Sequence, residues 1–182
     1  VPLRTVSTGT RTGLVLQVDD PAQLGADIVT GAAAAVWLYG TPVAVLDFGT
    51  ATVLSCVDAN RTLLGVSIAP GMQTSLDGLR GAAALIPHVE LRAPESVLGR
   101  NTADSVRAGV VYGTAAMADG LVERTLREAH LSLDTPVVAT GGLAGLILPF
   151  CRRRMHREDA LTLYGLYRVF ALTARREALR KK

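Results

Sequence analysis

An aspartate at the end of an apolar run is the feature of this sequence that points most directly to chemistry. Asp47 closes the run Pro42–Asp47 and is followed by the small, hydroxyl-rich string Phe48-Gly49-Thr50-Ala51-Thr52. A carboxylate in such a place is costly to bury unless it binds a cation or accepts hydrogen bonds. The small residues after it would let a phosphate approach the backbone amides. An ordinary hairpin turn with a local aspartate hydrogen bond explains the string equally well.

Two other short strings carry candidate site residues. Asp27 follows Gly25 and Ala26, and with such small neighbours it could sit in a pocket and take a proton from a hydroxyl group. An aspartate near a helix start is nevertheless more often a cap. Gly141-Gly142 lies between a predicted strand and a predicted helix, where a nucleotide could approach the backbone. The pair is also a common plain turn, and it does not form the G-x-G-x-x-G dinucleotide pattern.

Other kinds of site have little support. The three histidines share no spacing typical of a metal site, and Ser96 has no recognisable base partner, which argues against a zinc enzyme and a Ser/His/Asp hydrolase. Cys56 and Cys151 lie far apart and fit no metal-ligand spacing, so we expect buried free thiols in a reducing cytoplasm. Ile28–Leu38, the longest apolar stretch, is too short to span a bilayer, and Val1–Thr12 lacks the features of a secretory signal.

The composition favours a packed globular domain. Apolar residues make up 49% of the 182 residues and charged residues 19%, which argues against disorder. Aromatic residues, at 4%, are too few for a base-stacking surface. Part of the +3 net charge comes from Arg152, Arg153 and Arg154, which we interpret as a solvated face and not as a nucleic-acid patch. A basic cleft for a polyanionic nucleotide is compatible with the same numbers.

The hydrophobic pattern predicts the elements that position the candidate residues. Strands alternate with helices after an initial meander, which indicates a mixed α/β fold. The helix over residues 28–39 should end at Gly40, and Asn101 or Thr102 should cap the longest helix, which runs to about residue 129. The predicted strands cover residues 13–18, 42–47, 51–57, 62–69 and 136–140, and further helices cover about 70–85, a segment after Gly142, and 159–179.

Taken in chain order, these strings resemble the type III pantothenate kinases of the sugar kinase/Hsp70/actin superfamily. The matching strings are Leu24–Asp27, Leu38–Gly40, Asp47–Thr52, Ile68–Leu76, Pro94–Thr102, Gly109–Gly113, Ala139–Ala144 and Leu161–Leu166. The resemblance implies a ribonuclease H-like/actin-like ATPase fold, a mixed sheet flanked by helices, with the N-terminal portion of the first lobe missing. Residues 1–20 are then expected to be a remnant of the N-terminal lobe. Residues 21–182 would form the C-terminal actin-like lobe, with the pantothenate site and the dimer interface.

The resemblance also implies an activity and a substrate site. Such kinases transfer the γ-phosphoryl group of ATP to the primary hydroxyl of pantothenate, the first step of coenzyme A biosynthesis. Asp27 matches the proposed general base, and Gly25, Ala26 and Ile28 would line the pantothenate site beside it. Thr102 would touch the same substrate from the other side.

Further implied roles concern the nucleotide and the cations. Asp47 matches the aspartate that binds a monovalent cation, K⁺ or NH₄⁺, beside the phosphates. Thr50 matches an ATP contact, and Gly141 and Gly142 would lie near the adenosine. The family uses Mg²⁺ with ATP and works as a homodimer, so the expected partners are pantothenate, ATP and a second copy of the chain. Nucleic acid and membrane are not expected, and the expected location is the cytoplasm.

The sequence departs from the family pattern in three places. Ile28 stands where an arginine is usual, which removes a fixed cation and five donors, and Gly31 stands where many members have asparagine. The family's Asp-x-Gly-Asn-Thr hairpin, which holds the β- and γ-phosphates and Mg²⁺, is not found in these 182 residues. We therefore expect the chain alone to bind ATP poorly and to turn over slowly.

Two alternatives remain at this point. One is a non-catalytic, degenerate family member that acts as a dimeric partner or regulator, which the missing hairpin and Ile28 favour. The other is a nucleotide-dependent oxidoreductase on a doubly wound sheet. That fold requires a glycine-rich first βα turn, which the sequence does not show.

Overall fold

A computed structural model describes residues 5–6, 10–83 and 85–180 of the chain. Its described part is built around one mixed sheet in the order β1-β4-β3-β2-β5-β6. The strands are β1 (Val15–Leu16), β2 (Val43–Phe48), β3 (Ala51–Val57), β4 (Thr62–Pro70), β5 (Val137–Thr140) and β6 (His156–Arg157). The helices are α1 (Ala26–Tyr39), α2 (Met72–Ala82), α3 (Thr102–Glu128), α4 (Ala144–Ile147) and α5 (Leu161–Arg180).

The predicted three-stranded meander is confirmed. β2 pairs antiparallel with β3, and β3 pairs antiparallel with β4. β5 then joins β2 in parallel, with Asp47 beside Thr140, so the C-terminal ends of these two strands meet at one edge of the sheet. The two-residue strand β6 lies beside β5 and was not predicted. Since two residues give no alternation pattern, the sequence carries too little signal for it.

The segment predicted as an N-terminal-lobe remnant, residues 1–20, contributes to the same sheet. Within it, β1 pairs in parallel with the start of β4 through Val15 and Thr62. Residues 1–4 and 7–9 of that prediction lie outside the described part of the chain. The division into two regions at residue 20 stays a prediction.

Helices cover both faces of the sheet and make two separate apolar layers. On one face, Leu46, Phe48 and Leu54 pack with the α3 residues Val111 and Leu126. On the other face, the alanines of α1 and Leu161 of α5 pack on Val43, Val45 and Val138. Because β2 is buried on both faces, its sequence reads as a continuous apolar run with no polar alternation.

Helices α1 and α5 come into close backbone contact at Gly165. A Cβ on Gly165 would overlap the backbone carbonyl of Thr30, so glycine is required at this crossing. The Trp37 ring lies 6.2 Å from the Tyr167 ring, and the Arg168 guanidinium lies 5.7 Å above Trp37. These contacts fix the helix that carries Asp27 against the last helix of the chain.

The helix ends follow the expected capping chemistry. The Asp104 backbone N–H donates to Asn101 Oδ1 over 2.9 Å at the start of α3, and α1 ends at Gly40, whose φ is +80°. The helix predicted over residues 70–85 covers Met72–Ala82, and the one after Gly142 is only the short α4, followed by a 3₁₀ turn. Among the described helices, none has both the length and the apolar character that a membrane span requires.

Candidate functional site

Asp27 and Asp47 line the same small cavity. Asp27 lies in the first turn of α1, and Asp47 lies near the C-terminal end of β2. The cavity has a volume of about 20 Å³, enough for one ion or one water molecule. Its walls include the side chains of Ile28, Val45, Val53, Ser55, Thr140 and Thr162, and also Gly31. Two residues that the sequence marked independently are therefore brought together.

The first turn of α1 fixes the Asp27 carboxylate. Its Oδ1 accepts the Ile28 backbone N–H over 2.9 Å. A Cβ on Gly25 would overlap the same oxygen, so a residue larger than glycine would displace the carboxylate. The Thr30 hydroxyl donates to the Ala26 carbonyl over 2.7 Å and stabilises this turn. Asp27 itself is exposed, which leaves its carboxylate accessible to a ligand.

Asp47 is a half-buried carboxylate without an ion pair to Lys, Arg or His in the described residues. Its burial raises the pKa of the carboxyl above its usual range, and the negative charge of Asp27 raises it further. A cation between the two carboxylates would remove this unfavourable interaction. The polar side chains that line the cavity are all oxygen donors: Asp27, Asp47, Ser55, Thr140 and Thr162. This donor set fits a hard cation.

Hydrogen bonds from the start of α2 hold the turn between β2 and β3 in place. Gly71 N–H donates to the Thr50 carbonyl over 3.0 Å, and the Thr74 hydroxyl donates to the same oxygen over 2.6 Å. A Cβ on Gly71 would overlap the backbone of Gly49 and Thr50. The anchoring leaves Thr50 exposed on the outside of the turn. A ligand can therefore reach this threonine.

Gly141 lies directly against Asp47. Its φ is +95°, a conformation that favours glycine, and a Cβ there would lie 2.5 Å from Asp47 Oδ1. Gly142 differs, since a Cβ there would meet no atom within 4 Å. The Leu143 N–H donates to the Phe48 carbonyl over 3.1 Å and ties the two turns together. Thr50, Gly141 and Gly142 thus lie around one edge of the sheet with Asp47.

Thr102 does not line the cavity of Asp27. It begins α3 and lines a separate groove of about 910 Å³ between α2 and α3. Several apolar residues near this groove are exposed, notably Val97, Leu98 and Leu79. Within one chain, the structure therefore separates Thr102 from the other predicted substrate residues.

Three polar residues of the Asp27 cavity were missed by sequence reasoning. Ser55 could have been found from the alternation of β3, which places it on the same sheet face as Val53. Thr140 could have been found from its position before Gly141, whereas Thr162 shows no signal in the sequence. The hydroxyl of Thr52, the last residue of the hydroxyl-rich string after Asp47, is buried and has no hydrogen-bond partner among the described residues.

Both cysteines are free, as expected. Cys56 is buried, while Cys151 is only partly buried. Burial raises the pKa of each thiol to about 11. Neither thiol is poised as a nucleophile at neutral pH.

Solved structures with a similar fold support the predicted architecture. A Campylobacter jejuni protein described as a Baf family transcriptional activator matches with a TM-score of 0.60 at 15% identity, over 89% of this chain and 70% of that one. An activator of 2-hydroxyisocaproyl-CoA dehydratase from Clostridium difficile, solved with ADPNP, matches with a TM-score of 0.54 at 14% identity, over 91% and 72%. The chain has the actin-like ATPase fold, as predicted.

Sequence comparison then shows the family. The type III pantothenate kinase model matches residues 1–124. Type III pantothenate kinases from Frankia casuarinae and Rhodococcus opacus are each 42% identical, over 93% and 100% of this chain and 67% and 68% of their own lengths. One from Shouchella clausii is 43% identical, over 91% of this chain and 64% of its own length.

The chain therefore belongs to the type III pantothenate kinase family, and the predicted enzyme class, a kinase of coenzyme A biosynthesis, is confirmed. Membership of this family implies the use of ATP. The chain spans about two thirds of the length of these relatives.

Proposed function

We propose that this chain supplies the pantothenate-binding surface, the general base and the cation-binding aspartate of an ATP-dependent pantothenate kinase. The observation that carries the proposal is the shared cavity of Asp27 and Asp47, with Gly141 in van der Waals reach of Asp47. Phosphoryl transfer depends mainly on positioning and charge neutralisation, which such an arrangement provides.

In this proposal Asp27 accepts the proton of the attacking hydroxyl of pantothenate. The backbone hydrogen bond from Ile28 occupies Oδ1 and orients the carboxylate, which leaves Oδ2 to take the proton. Gly25 and Ala26 leave space for the substrate beside it. Ile28 offers it an apolar contact where relatives of this type usually have arginine.

Asp47, together with the oxygen donors of the cavity, would hold a monovalent cation, K⁺ or NH₄⁺. Such a cation supplies positive charge next to the phosphates and offsets the repulsion between the two carboxylates. Thr50, Gly141 and Gly142 form the side that faces the nucleotide, which enters with Mg²⁺.

We also propose that the enzyme is a homodimer with its interface at the α2–α3 groove. The exposed apolar residues around this groove would be buried there. Thr102 lines the same groove, so its proposed contact with pantothenate belongs to the dimer. We place the enzyme in the cytoplasm, in keeping with its free thiols.

The Asp27→Asn variant tests the proposed base. Loss of the base should lower pantothenate-dependent ADP release by about 10²–10⁴-fold, while calorimetric binding of pantothenate changes little. Asp19→Asn, an exposed aspartate outside the cavity, is the matched control and should have no effect. Unchanged turnover of the Asp27→Asn variant in a full-length background would rule out Asp27 as the base.

One observation favours a second function, that of a non-catalytic dimeric partner. Ile28 places an apolar side chain where the family usually has a substrate-binding cation, and it lines the cavity itself. This alternative predicts that the wild-type chain dimerises and binds pantothenate but releases no ADP. Calorimetry combined with an ADP-release assay separates the two functions.

A further inference from the structure

A second polar cavity lies at the opposite end of β5 from the Asp27 cavity. It has a volume of about 650 Å³, and three consecutive arginines, Arg152, Arg153 and Arg154, line it. We call it the arginine cavity, and the loop that carries these residues the arginine loop. β5 extends from Val137, which lines this cavity, to Thr140, which lines the other. Val137 and Thr140 lie three residue steps apart along the strand, a distance of about 10 Å. The arginine cavity is therefore distinct from the proposed kinase site.

The loop that carries the arginines is held by a buried aspartate. Asp119, on α3, is only 7% exposed. Its Oδ2 accepts the Arg152 backbone N–H over 2.8 Å, and its Oδ1 accepts that of Arg153 over 3.1 Å. The carboxylate therefore binds the backbone of the loop, which is fixed while the three arginine side chains extend from it.

The guanidinium groups retain most of their hydrogen-bonding capacity. Arg152 is 87% exposed, and its Nε lies 3.7 Å from Asp119 Oδ2, beyond hydrogen-bond distance. Arg153 donates from Nη1 to the Leu133 carbonyl over 2.7 Å. Arg154 is exposed and makes no side-chain hydrogen bond to the other described residues. Each guanidinium has five N–H donors, so many remain for a ligand.

Acidic groups at the cavity offset only part of this charge. Glu123 is paired with Arg127 over 2.8 Å. The pKa of the Glu123 carboxyl is lowered mainly by Arg127 and further by Arg152 and Arg153, so the positive field of the run reaches this wall. Asp119 and Asp134 are the remaining carboxylates of the lining. With Arg127 counted beside its partner Glu123, four arginines stand against three carboxylates, which leaves an excess of one positive charge.

A buried hydroxyl in the wall has no partner. Thr135 is 5% exposed, and its Oγ1 makes no hydrogen bond with the described residues. Buried hydroxyls nearly always have a partner in folded proteins. Thr135 lines the cavity together with the apolar residues Leu133 and Pro136. The Oγ1 atom itself is shielded from solvent, so Leu133 and Pro136 give this wall an apolar surface.

We propose that this arginine cavity binds a small phosphorylated organic molecule. Arginine forks match the geometry of a phosphate group and bind it with two parallel hydrogen bonds. The volume fits a ligand of metabolite size, and the apolar wall would contact its organic part. Inorganic phosphate offers the same oxyanion without that part, and so it should bind more weakly.

Calorimetric titration of the chain with glycerol 3-phosphate and with inorganic phosphate tests the proposal. The Arg152→Ala/Arg154→Ala variant should bind glycerol 3-phosphate about tenfold or more weakly, since charge-assisted hydrogen bonds are lost. The control Arg80→Ala/Arg92→Ala removes the same charge from exposed positions outside the cavity and should bind normally. An equal loss in both variants would mean a non-specific charge effect and would overturn the proposal.

Two further variants sharpen the test. Arg152→Lys/Arg154→Lys keeps the charge but lacks the fork, so binding should fall to between the wild-type and alanine values. Thr135→Val keeps the shape of the wall and removes only a shielded hydroxyl, so it should leave the thermal unfolding midpoint unchanged or higher and binding unchanged. No binding to the wild type, or equal affinity for the two anions, contradicts the proposal. So does an equal loss of binding in Thr50→Ala, which would assign the anion to the nucleotide side of the kinase site.

Discussion

Asp47 and Asp119 lie toward opposite ends of β5, and the structure gives the two carboxylates different surroundings. Both oxygens of Asp119 accept backbone N–H groups of the arginine loop. Asp47 instead faces a second carboxylate, Asp27, across a cavity lined by hydroxyl groups. The backbone hydrogen bonds of the loop satisfy Asp119, whereas the negative charge of Asp47 stays unfavourable unless a cation binds beside it.

The two carboxylates differ in their partners: Asp119 has backbone N–H groups, whereas Asp47 has a second carboxylate. Burial alone does not distinguish them, because Asp119 is the more buried of the two. The informative features of Asp47 are its raised carboxyl pKa and its acidic neighbour. Substitution at the two positions should therefore have opposite effects on stability.

The largest effect is expected for Asp119→Asn. The amide turns one acceptor into a donor that faces a backbone N–H of the loop, so the free energy of unfolding should fall by about 3 kcal/mol. Urea denaturation followed by circular dichroism measures the change. Glu123→Gln, one turn further along α3 and exposed, is the control and should cost less than about 0.5 kcal/mol. A fall as small as that of the control would show that Asp119 does not hold the loop.

A smaller loss is expected for Gly141→Ala. The alanine meets both a positive φ and contact with Asp47 Oδ1, which together should cost about 2 kcal/mol. The same change should weaken ADP binding, because it displaces the turn next to Asp47. Gly142→Ala is the matched control, since a Cβ there meets nothing within 4 Å. Thermal unfolding and calorimetry with ADP compare the pair, and equal behaviour of the two variants would contradict the assigned contact.

The smallest effect, and one of opposite sign, is expected for Asp47→Asn. Removal of the charge relieves repulsion with Asp27, so the unfolding midpoint without K⁺ at pH 7 should rise by about 2–4 °C. KCl should raise the midpoint of the wild type above that seen with an equal concentration of choline chloride. It should not do so in the variant. A variant that is less stable than the wild type in choline chloride would show that Asp47, like Asp119, is a structural acid.

The pH dependence of Asp47 gives an independent check. Its folded-state pKa is raised above the ordinary value of 3.8, so the folded state binds the proton more tightly than the unfolded state. The stabilisation is fully present below that ordinary value and is lost as the pH rises through the raised one. The stability gap between Asp47→Asn and the wild type should therefore narrow as the pH falls from 7 toward 4.

The sequence was sufficient to predict the order of the main elements. The meander, the Asn101 cap and the end of α1 at Gly40 all follow from local chemistry, and the structure confirms them. Strand β6 and the contact between Asp119 and the arginine loop depend on residues distant in sequence. No local pattern marks an aspartate within a long helix as the anchor of a loop more than thirty residues away.

The candidate site likewise contains residues that local sequence identifies and residues that only the fold brings in. Asp27, Asp47 and Gly141 stand in short strings with visible glycines, and the structure brings them together. Thr162 comes from the start of α5 and enters the cavity only through the packing of α5 on α1. Thr102 stands in an equally distinctive string but lies in another groove. A distinctive sequence motif can thus identify a functional residue without showing which other residues of the fold form a site with it.

The glycine contact between α5 and α1 has a practical consequence for spectroscopy. With Gly165 against the Thr30 carbonyl, the two helices cannot slide past each other without separating, so they should move as one body. Trp37, the only tryptophan of the chain, lies at their junction beside Tyr167 and under Arg168. Its emission therefore provides a built-in optical probe that responds if these helices part when a ligand reaches Asp27.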